Sequence, residues 1–288
     1  MNRLRSNLCL FLTAMIWGCA FVAQSVAAES IGPCAFNGIR FLIGALTVGL
    51  LLPVLEKITP EEAGKKRDPK TLWIAGSFAG VILLFASILQ QAGIAWTTAG
   101  KAGFLTSLYV VLVPVCGLFA RRRPKANVYL ASLLALFALY LLSAPENGRI
   151  GKGELLVILS AVCFTGHILV IDHFAPKVDA AKFSAVQFLS AGVLGMILTF
   201  LFEPLRFDGV KNAMIPILYA GVFSAGLGYT LQTFGQKGAE PAVASVLLSL
   251  ESVFSALFGF LILHETLTVR ELAGCALMFI AVLLSQRQ

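Results

Sequence analysis

The feature that most constrains this chain is a succession of apolar runs, each about 20 residues long, separated by short polar connections. At a rise of about 1.5 Å per residue, one such run makes an α-helix long enough to cross a hydrocarbon layer of ~30 Å. Ten runs are readable, over approximately residues 7–26, 35–55, 71–95, 99–120, 126–143, 153–173, 181–202, 213–236, 241–263 and 268–286. They are apolar all round rather than along one stripe, so a water-soluble core cannot hide them. Composition agrees, since 58% of the 288 residues are hydrophobic and 13% charged, against about 25% charged in a soluble domain. The expected fold class is an all-α polytopic membrane protein with ten transmembrane helices.

The net charge of +7 does not indicate a nucleic-acid partner, because the basic residues fall in short connections between the apolar runs. Lysine and arginine instead mark the cytoplasmic side. With the amino terminus inside, fifteen collect there, among them Lys57, Lys65, Lys66, Arg67, Lys70, Arg121, Arg122 and Arg123. Six fall outside: Lys101, Arg149, Lys152, Arg206, Lys211 and Arg270. The placement expected is a bacterial inner membrane, crossed many times, with both termini cytoplasmic. Arg3 and Arg5 ahead of a run ending in Ser25-Val26-Ala27 imitate a secretory signal. That run is longer than a signal core and has a counterpart later in the chain, so it reads as a retained helix.

The counterpart belongs to an internal repeat. Phe36-Asn37-Gly38-Ile39-Arg40-Phe41-Leu42 recurs 147 positions later as Phe183-Ser184-Ala185-Val186-Gln187-Phe188-Leu189, and the same offset sets Ala14–Gly18 on Ala161–Thr165. An offset of 142 sets Leu89-Gln90-Gln91-Ala92-Gly93 on Leu231-Gln232-Thr233-Phe234-Gly235, Leu105–Leu108 on Leu247–Leu250, and Leu141–Ser143 on Leu283–Ser285. The repeats are expected at 1–147 and 148–288. Five helices per repeat is an odd number, so the second copy enters the membrane from the opposite side. Two inverted five-helix repeats are the usual frame of alternating-access transporters, with the substrate site near the midplane between them.

Several strings resemble the EamA family of the drug/metabolite transporter superfamily. They are Trp17-Gly18, Phe36-Asn37-x-x-Arg40-Phe41, Leu89-Gln90-x-x-Gly93, the stretch from Thr97 through Tyr109 and Pro114 to Arg121-Arg122-Arg123-Pro124, Leu250-Glu251 and His264-Glu265. The resemblance implies ten helices, cytoplasmic termini and carriage of amino acids, metabolites or toxic compounds, frequently as export. One departure is that Ser252 follows Glu251, where the family often has proline. The expected function is an inner-membrane secondary transporter, a permease that exports a small organic solute such as an amino acid, metabolite or drug. An intramembrane enzyme and a receptor or assembly factor without transport are the alternatives. No nucleophile–base pair or sensing domain is readable, so enzymatic activity is not expected.

Glu251 lies in the middle of the ninth run, where a charge costs roughly 2.5–3.5 kcal/mol and is tolerated mainly beside a cavity, a partner or a proton path. It reads as a proton carrier, a partner for a substrate ammonium, or a protonated carboxyl that ties helices together. Arg40 sits about five residues inside the outer end of the second run, shallow enough to snorkel outward. It reads as a structural residue, an outer gate or a carboxylate clamp. His167 reads as a solute ligand, a proton relay or a hydrogen-bonded interior histidine. Gln90 and Gln232 occupy matching repeat positions and either line the pathway or bind neighbouring helices. Trp17 and Tyr109 offer an aromatic wall for an apolar or cationic solute, or simply pack. The string His167-x-x-x-x-Asp172 imitates an acyltransferase motif, but five residues turn a helix by about 500° and separate the two side chains.

No Walker A loop, glycine-rich nucleotide motif or H-E-x-x-H occurs, so no cofactor, no ATP drive and no metal are expected. The six cysteines have no C-x-x-C spacing, and no disulfide is expected either. Gly76-x-x-x-Gly80 and Ser224-x-x-x-Gly228 are spaced for close helix approach. The partners expected are a small-molecule substrate, protons as coupling ion, and the lipid bilayer, for a monomer or homodimer.

Overall fold

The computed structural model describes residues 3–58, 68–119, 124–143 and 150–287, and every regular element among them is helical. Nine helices are long and apolar enough to span a membrane, and a tenth is shorter. In chain order they are α1 (Arg3–Ala28), α2 (Pro33–Lys57), α3 (Pro69–Ile94), α4 (Ala99–Leu118), α5 (Ala126–Leu142), α6 (Lys152–Phe174), α7 (Ala180–Phe202), α8 (Met214–Gln236), α9 (Pro241–Leu263) and α10 (Val269–Gln286). The shorter one is α5. Lys65, Lys66, Arg67, Arg121, Arg122, Arg123 and Arg149, which carry much of the charge argument, lie outside the described residues.

The helix ends are set by local chemistry, because backbone groups that leave a helix in or near lipid need partners. Asp68 caps α3 by accepting from the N–H groups of Lys70 and Thr71. Asp179 does the same for α7 and Thr98 for α4. Thr268 and Glu271 form a reciprocal capping box on α10. Pro69 and Pro241 open α3 and α9, where a missing N–H costs nothing. At the end of α9, His264 takes a left-handed φ of 56° and turns the chain back, so that the N–H of Glu265 reaches Gly259 O.

The bundle is inside-out relative to a soluble protein. Phe200, Leu50, Phe78 and Phe279 face outward, Phe200 at 72% exposure, while Asn37, Gln24, Gln90, Gln187, Gln232, His167, Arg40 and Glu251 are buried. Lipid is the solvent that makes this arrangement favourable.

α2 packs against α7 and α5 against α10. Both pairs are antiparallel. The carboxylate of Glu203 at the end of α7 accepts from the N–H groups of Cys34 and Ala35 at the start of α2, and Lys182 at the start of α7 pairs with Glu56 at the end of α2, 3.0 Å apart. Asn127 at the start of α5 donates to the carbonyls of Leu284 and Arg287 at the end of α10. α3 packs on α6 and α7, while α8 packs on α1 and α2 and α9 on α1. The two small-residue motifs sit at such contacts. Gly76 and Gly80 rest on Val186 and Gln187 of α7, and Gly228 on Trp17, with no room for a Cβ at any of the three.

Three spans depart from regular helices. α4 is interrupted at Ser107-Leu108, between Ala99–Thr106 and Tyr109–Phe119. α9 is interrupted at Ser249-Leu250, between Pro241–Leu248 and Glu251–Leu263. In α8, Ala220–Tyr229 is a π-helix, wider than its flanks.

Candidate functional site

The two interruptions lie 142 residues apart, so they occupy the same position in the two sequence copies. Each is made the same way. Leu108 N bonds Leu105 O and Val110 N bonds Ser107 O, tightening the turn, while Leu250 N bonds Leu247 O and Ser252 N bonds Ser249 O in the second copy. The serine hydroxyls turn back onto their own helices, Ser107 Oγ to Gly103 O and Ser249 Oγ to Val246 O. A serine that offers the backbone a local partner in this way weakens the regular ladder. The interruption in α9 thus forms without the proline that Ser252 replaces.

The residue following each interruption is Tyr109 in α4 and Glu251 in α9, again 142 apart. They meet. Tyr109 OH donates to Glu251 Oε1 at 2.8 Å, and Ser107 Oγ lies 3.4 Å from the same oxygen. Glu251 is 2% exposed and opens the second half of its helix, where the unpaired N–H groups favour negative charge.

Beside this pair lies a small cavity of about 20 Å³. Six of the seven residues singled out in the sequence line it: Trp17, Arg40, Gln90, Tyr109, Gln232 and Glu251. His167 does not. Its Nε2 is 3.0 Å from Gln187 Oε1 and its ring lies 5.8 Å from that of Tyr229, which places it one layer behind the wall. The lining is composed largely of matched positions. Trp17 and Phe164, and Phe21 and Ile168, are 147 apart; Gln90 and Gln232, and Tyr109 and Glu251, are 142 apart. Four matched pairs therefore surround one space.

Arg40 corrects an expectation. Instead of snorkelling outward it is 2% exposed, with its guanidinium carbon 5.3 Å from the Phe36 ring centroid and 4.8 Å from that of Phe41. At this depth α2 is covered by α7 and by the π-segment of α8, so the side chain turns inward and the two ring faces hold its charge. Its Nε has no hydrogen-bond partner, and among the described residues no carboxylate lies within 4.0 Å of it. Gln90 Nε2 donates to Thr106 Oγ1 at 3.0 Å, while Gln232 Oε1 and Gln24 Oε1 are buried without partners. The cavity thus holds a guanidinium and a carboxyl group that do not pair with each other, with unsatisfied amide oxygens between aromatic walls.

Sequence reasoning missed Tyr229, Gln24, Phe21 and Phe164 as lining residues. Phe164 was findable, being the counterpart of Trp17. Tyr229 was not, because its counterpart is Ser87 and no likeness marks it. The π-segment brings Tyr229 to the wall. The carbonyls of Ser224 and Gly228 in this segment accept from Trp17 Nε1 at 3.3 Å and Thr13 Oγ1 at 3.1 Å. The Trp17 and Tyr229 rings lie with centroids 4.5 Å apart and their planes tilted by 53°.

Comparison with known proteins agrees with this architecture. A protein of Archaeoglobus fulgidus named an uncharacterized transporter is 30% identical over 98% of this chain and 86% of its own length. The uncharacterized transporter YoaV of Bacillus subtilis is 27% identical over 91% of this chain and 90% of its own. A crystal structure 18% identical in sequence matches with a TM-score of 0.79 over 99% of this chain and 97% of the other, which establishes the shared fold. The EamA-like transporter family matches twice in succession, at residues 4–144 and 151–286, and nearly the whole chain accordingly belongs to that family.

Proposed function

We propose that this protein is a secondary transporter of the inner membrane that exports a small organic solute, such as an amino acid, metabolite or drug, by alternating access through the central cavity. The observation that carries the reading is the cavity itself, bounded by four matched pairs and holding Arg40 and Glu251 unpaired with one another. A site on the axis relating two inverted repeats can be offered to either side by one rocking motion of the halves.

The packing supports inversion, with repeats at 1–147 and 148–288. The matched helices α2 and α7 run antiparallel, as do α5 and α10. Exchanging the halves turns the α3–α6 contact into α8–α1 and the α3–α7 contact into α8–α2, both of which exist. The roles follow from chemistry. Arg40 receives an anionic group of the solute, its fork being suited to a carboxylate. Glu251 receives an ammonium or carries the coupled proton, with Tyr109 orienting it. Gln90 and Gln232 supply amides, Trp17 a flat apolar wall, and His167 positions Gln187 behind it. A solute bearing both charges and an apolar body satisfies every group at once, which favours amino acids within the wider class. The positive-inside argument puts both termini in the cytoplasm.

The test is uptake into proteoliposomes, screened against amino acids, other metabolites and cationic drugs with and without a pH gradient. Zwitterions should compete best. Topology is checked separately by single cysteines at Glu29 and Lys182 in a background without native cysteines. An impermeant thiol reagent applied to intact cells should label the first and not the second, and the reverse pattern would invert the proposed orientation.

A further inference from the structure

We infer that a second site, remote from the central cavity, binds the phosphate of an anionic phospholipid headgroup. It lies at the end of the bundle that carries both termini, in a cleft of about 140 Å³ between the starts of α1, α5 and α9 and the end of α10. Three cations line it, Arg3, Lys125 and Arg287, against one carboxylate, Glu240. Among the described residues none of the three cations has a carboxylate within 4.0 Å. Glu240 does not serve as an intrahelical cap, since α9 starts without a side-chain hydrogen bond and Pro241 occupies its first turn. The unpaired N–H groups and positive end of that helix add to the same field.

The rest of the cleft is built rather than incidental. Asn127 is committed to the carbonyls of Leu284 and Arg287, and Asn7 Nδ2 donates to Gln286 Oε1 at 2.7 Å, so α1, α5 and α10 are tied together around the opening. These bonds consume the neutral polar groups and leave the cations as the free ones. Val128 and Val243 supply apolar wall below them. Cations above an apolar wall, at the level where a span leaves the hydrocarbon, match a lipid phosphate over its glycerol better than they match a soluble anion. Basic pockets of this kind between membrane helices hold anionic headgroups, each nearby lysine or arginine strengthening the attraction. The site is independent of the transport reading, and would remain if the cavity carried no solute.

The test uses the whole protein purified in dodecyl maltoside, with retained lipid counted by native mass spectrometry and thermal unfolding followed as lipid is added. Phosphatidylglycerol is compared with phosphatidylcholine. The variant Arg3→Gln, Lys125→Gln, Arg287→Gln is set against Lys57→Gln, Lys70→Gln, Lys177→Gln, which removes the same charge at the same end. Wild type and the control variant should retain phosphatidylglycerol and be stabilised by it, and the site variant should bind it more weakly by roughly tenfold or more. Should the triple variant fold poorly, Arg287→Gln alone should still weaken binding severalfold. Loss of phosphatidylglycerol to inorganic phosphate at equal concentration would transfer the site from lipid to a soluble phosphate compound. Equal retention by the site and control variants, or no preference over phosphatidylcholine, would overturn the proposal.

Discussion

The two halves of the molecule carry the same scaffold and different chemistry. Interruptions fall at Ser107-Leu108 and Ser249-Leu250, glutamines at 90 and 232 face one cavity, and α2 and α7 share an interface. Yet Tyr109 stands where the other half has Glu251, Arg40 where it has Gln187, Ala20 where it has His167, and Ser87 where it has Tyr229. The first half offers the cavity a guanidinium, the second a carboxyl group. A duplicated frame brings matched positions to one cavity, and divergence at a few of them gives its two sides different polarity.

The comparison is tested hardest at Glu251. Glu251→Gln keeps shape and one accepting oxygen for Tyr109 but removes the titratable proton. If Glu251 carries the coupled proton, transport driven by a pH gradient should vanish while solute exchange at equal pH survives. If it pairs with a solute ammonium, binding itself should weaken by about 1.5–3 kcal/mol, roughly ten- to a hundredfold. Reduced stability with normal transport per folded molecule would leave the residue structural and the asymmetry without function.

Arg40 and Gln187 sharpen the same contrast. Arg40→Gln copies the second half into the first and removes the cavity's cation. Solutes with an anionic group should lose about tenfold or more in affinity while their amide analogues lose little. Gln187→Leu removes the partner of His167 behind the wall and should lower the unfolding temperature without that discrimination. Equal effects of the two substitutions on affinity would mean that Arg40 does not meet the solute.

The packing contrast predicts a smaller effect. Gly80 of α3 lies against Gln187 O, whereas its counterpart Val222 belongs to the π-segment of α8. Gly80→Leu should destabilise by about 1–3 kcal/mol through overpacking, read as a lower unfolding temperature. Val222→Leu should be tolerated.

Much of this frame was legible in the sequence, because lipid imposes length and hydropathy directly. Ten runs gave ten helices, and fixed offsets paired Gln90 with Gln232 and Trp17 with Phe164 before any coordinates. What was illegible depends on neighbours. The inward turn of Arg40 follows from α7 and α8 covering α2, a tertiary fact invisible in its position five residues from a helix end. The interruption before Glu251 had no proline to announce it, and the tightened turns are marked only by serines of a kind found throughout the chain. The π-segment lies where Thr13 and Trp17 of α1 donate to carbonyls of α8, a partnership more than two hundred residues apart in sequence.

The smallest expected effect lies outside the spans, where the halves also differ. Glu265 follows His264 in the connection between α9 and α10, and its side chain lies against Gly259, which has no Cβ to displace it. Partial burial, then the nearby charge of Glu271, raise its pKa above the ordinary 4.5. A carboxyl whose pKa is raised on folding favours the folded state while protonated. Its contribution is full below pH 4.5 and is lost as pH rises through the folded value. Wild type should therefore lose stability relative to Glu265→Gln as pH climbs from about 4 to 7. Half-exposure and solvent screening hold the difference below about 1 kcal/mol, a shift of no more than ~2–4 °C in unfolding temperature. Unfolding curves of both proteins across that range decide it. Parallel curves would mean that the Glu265 carboxyl, although it lies against Gly259, stays hydrated in the folded protein.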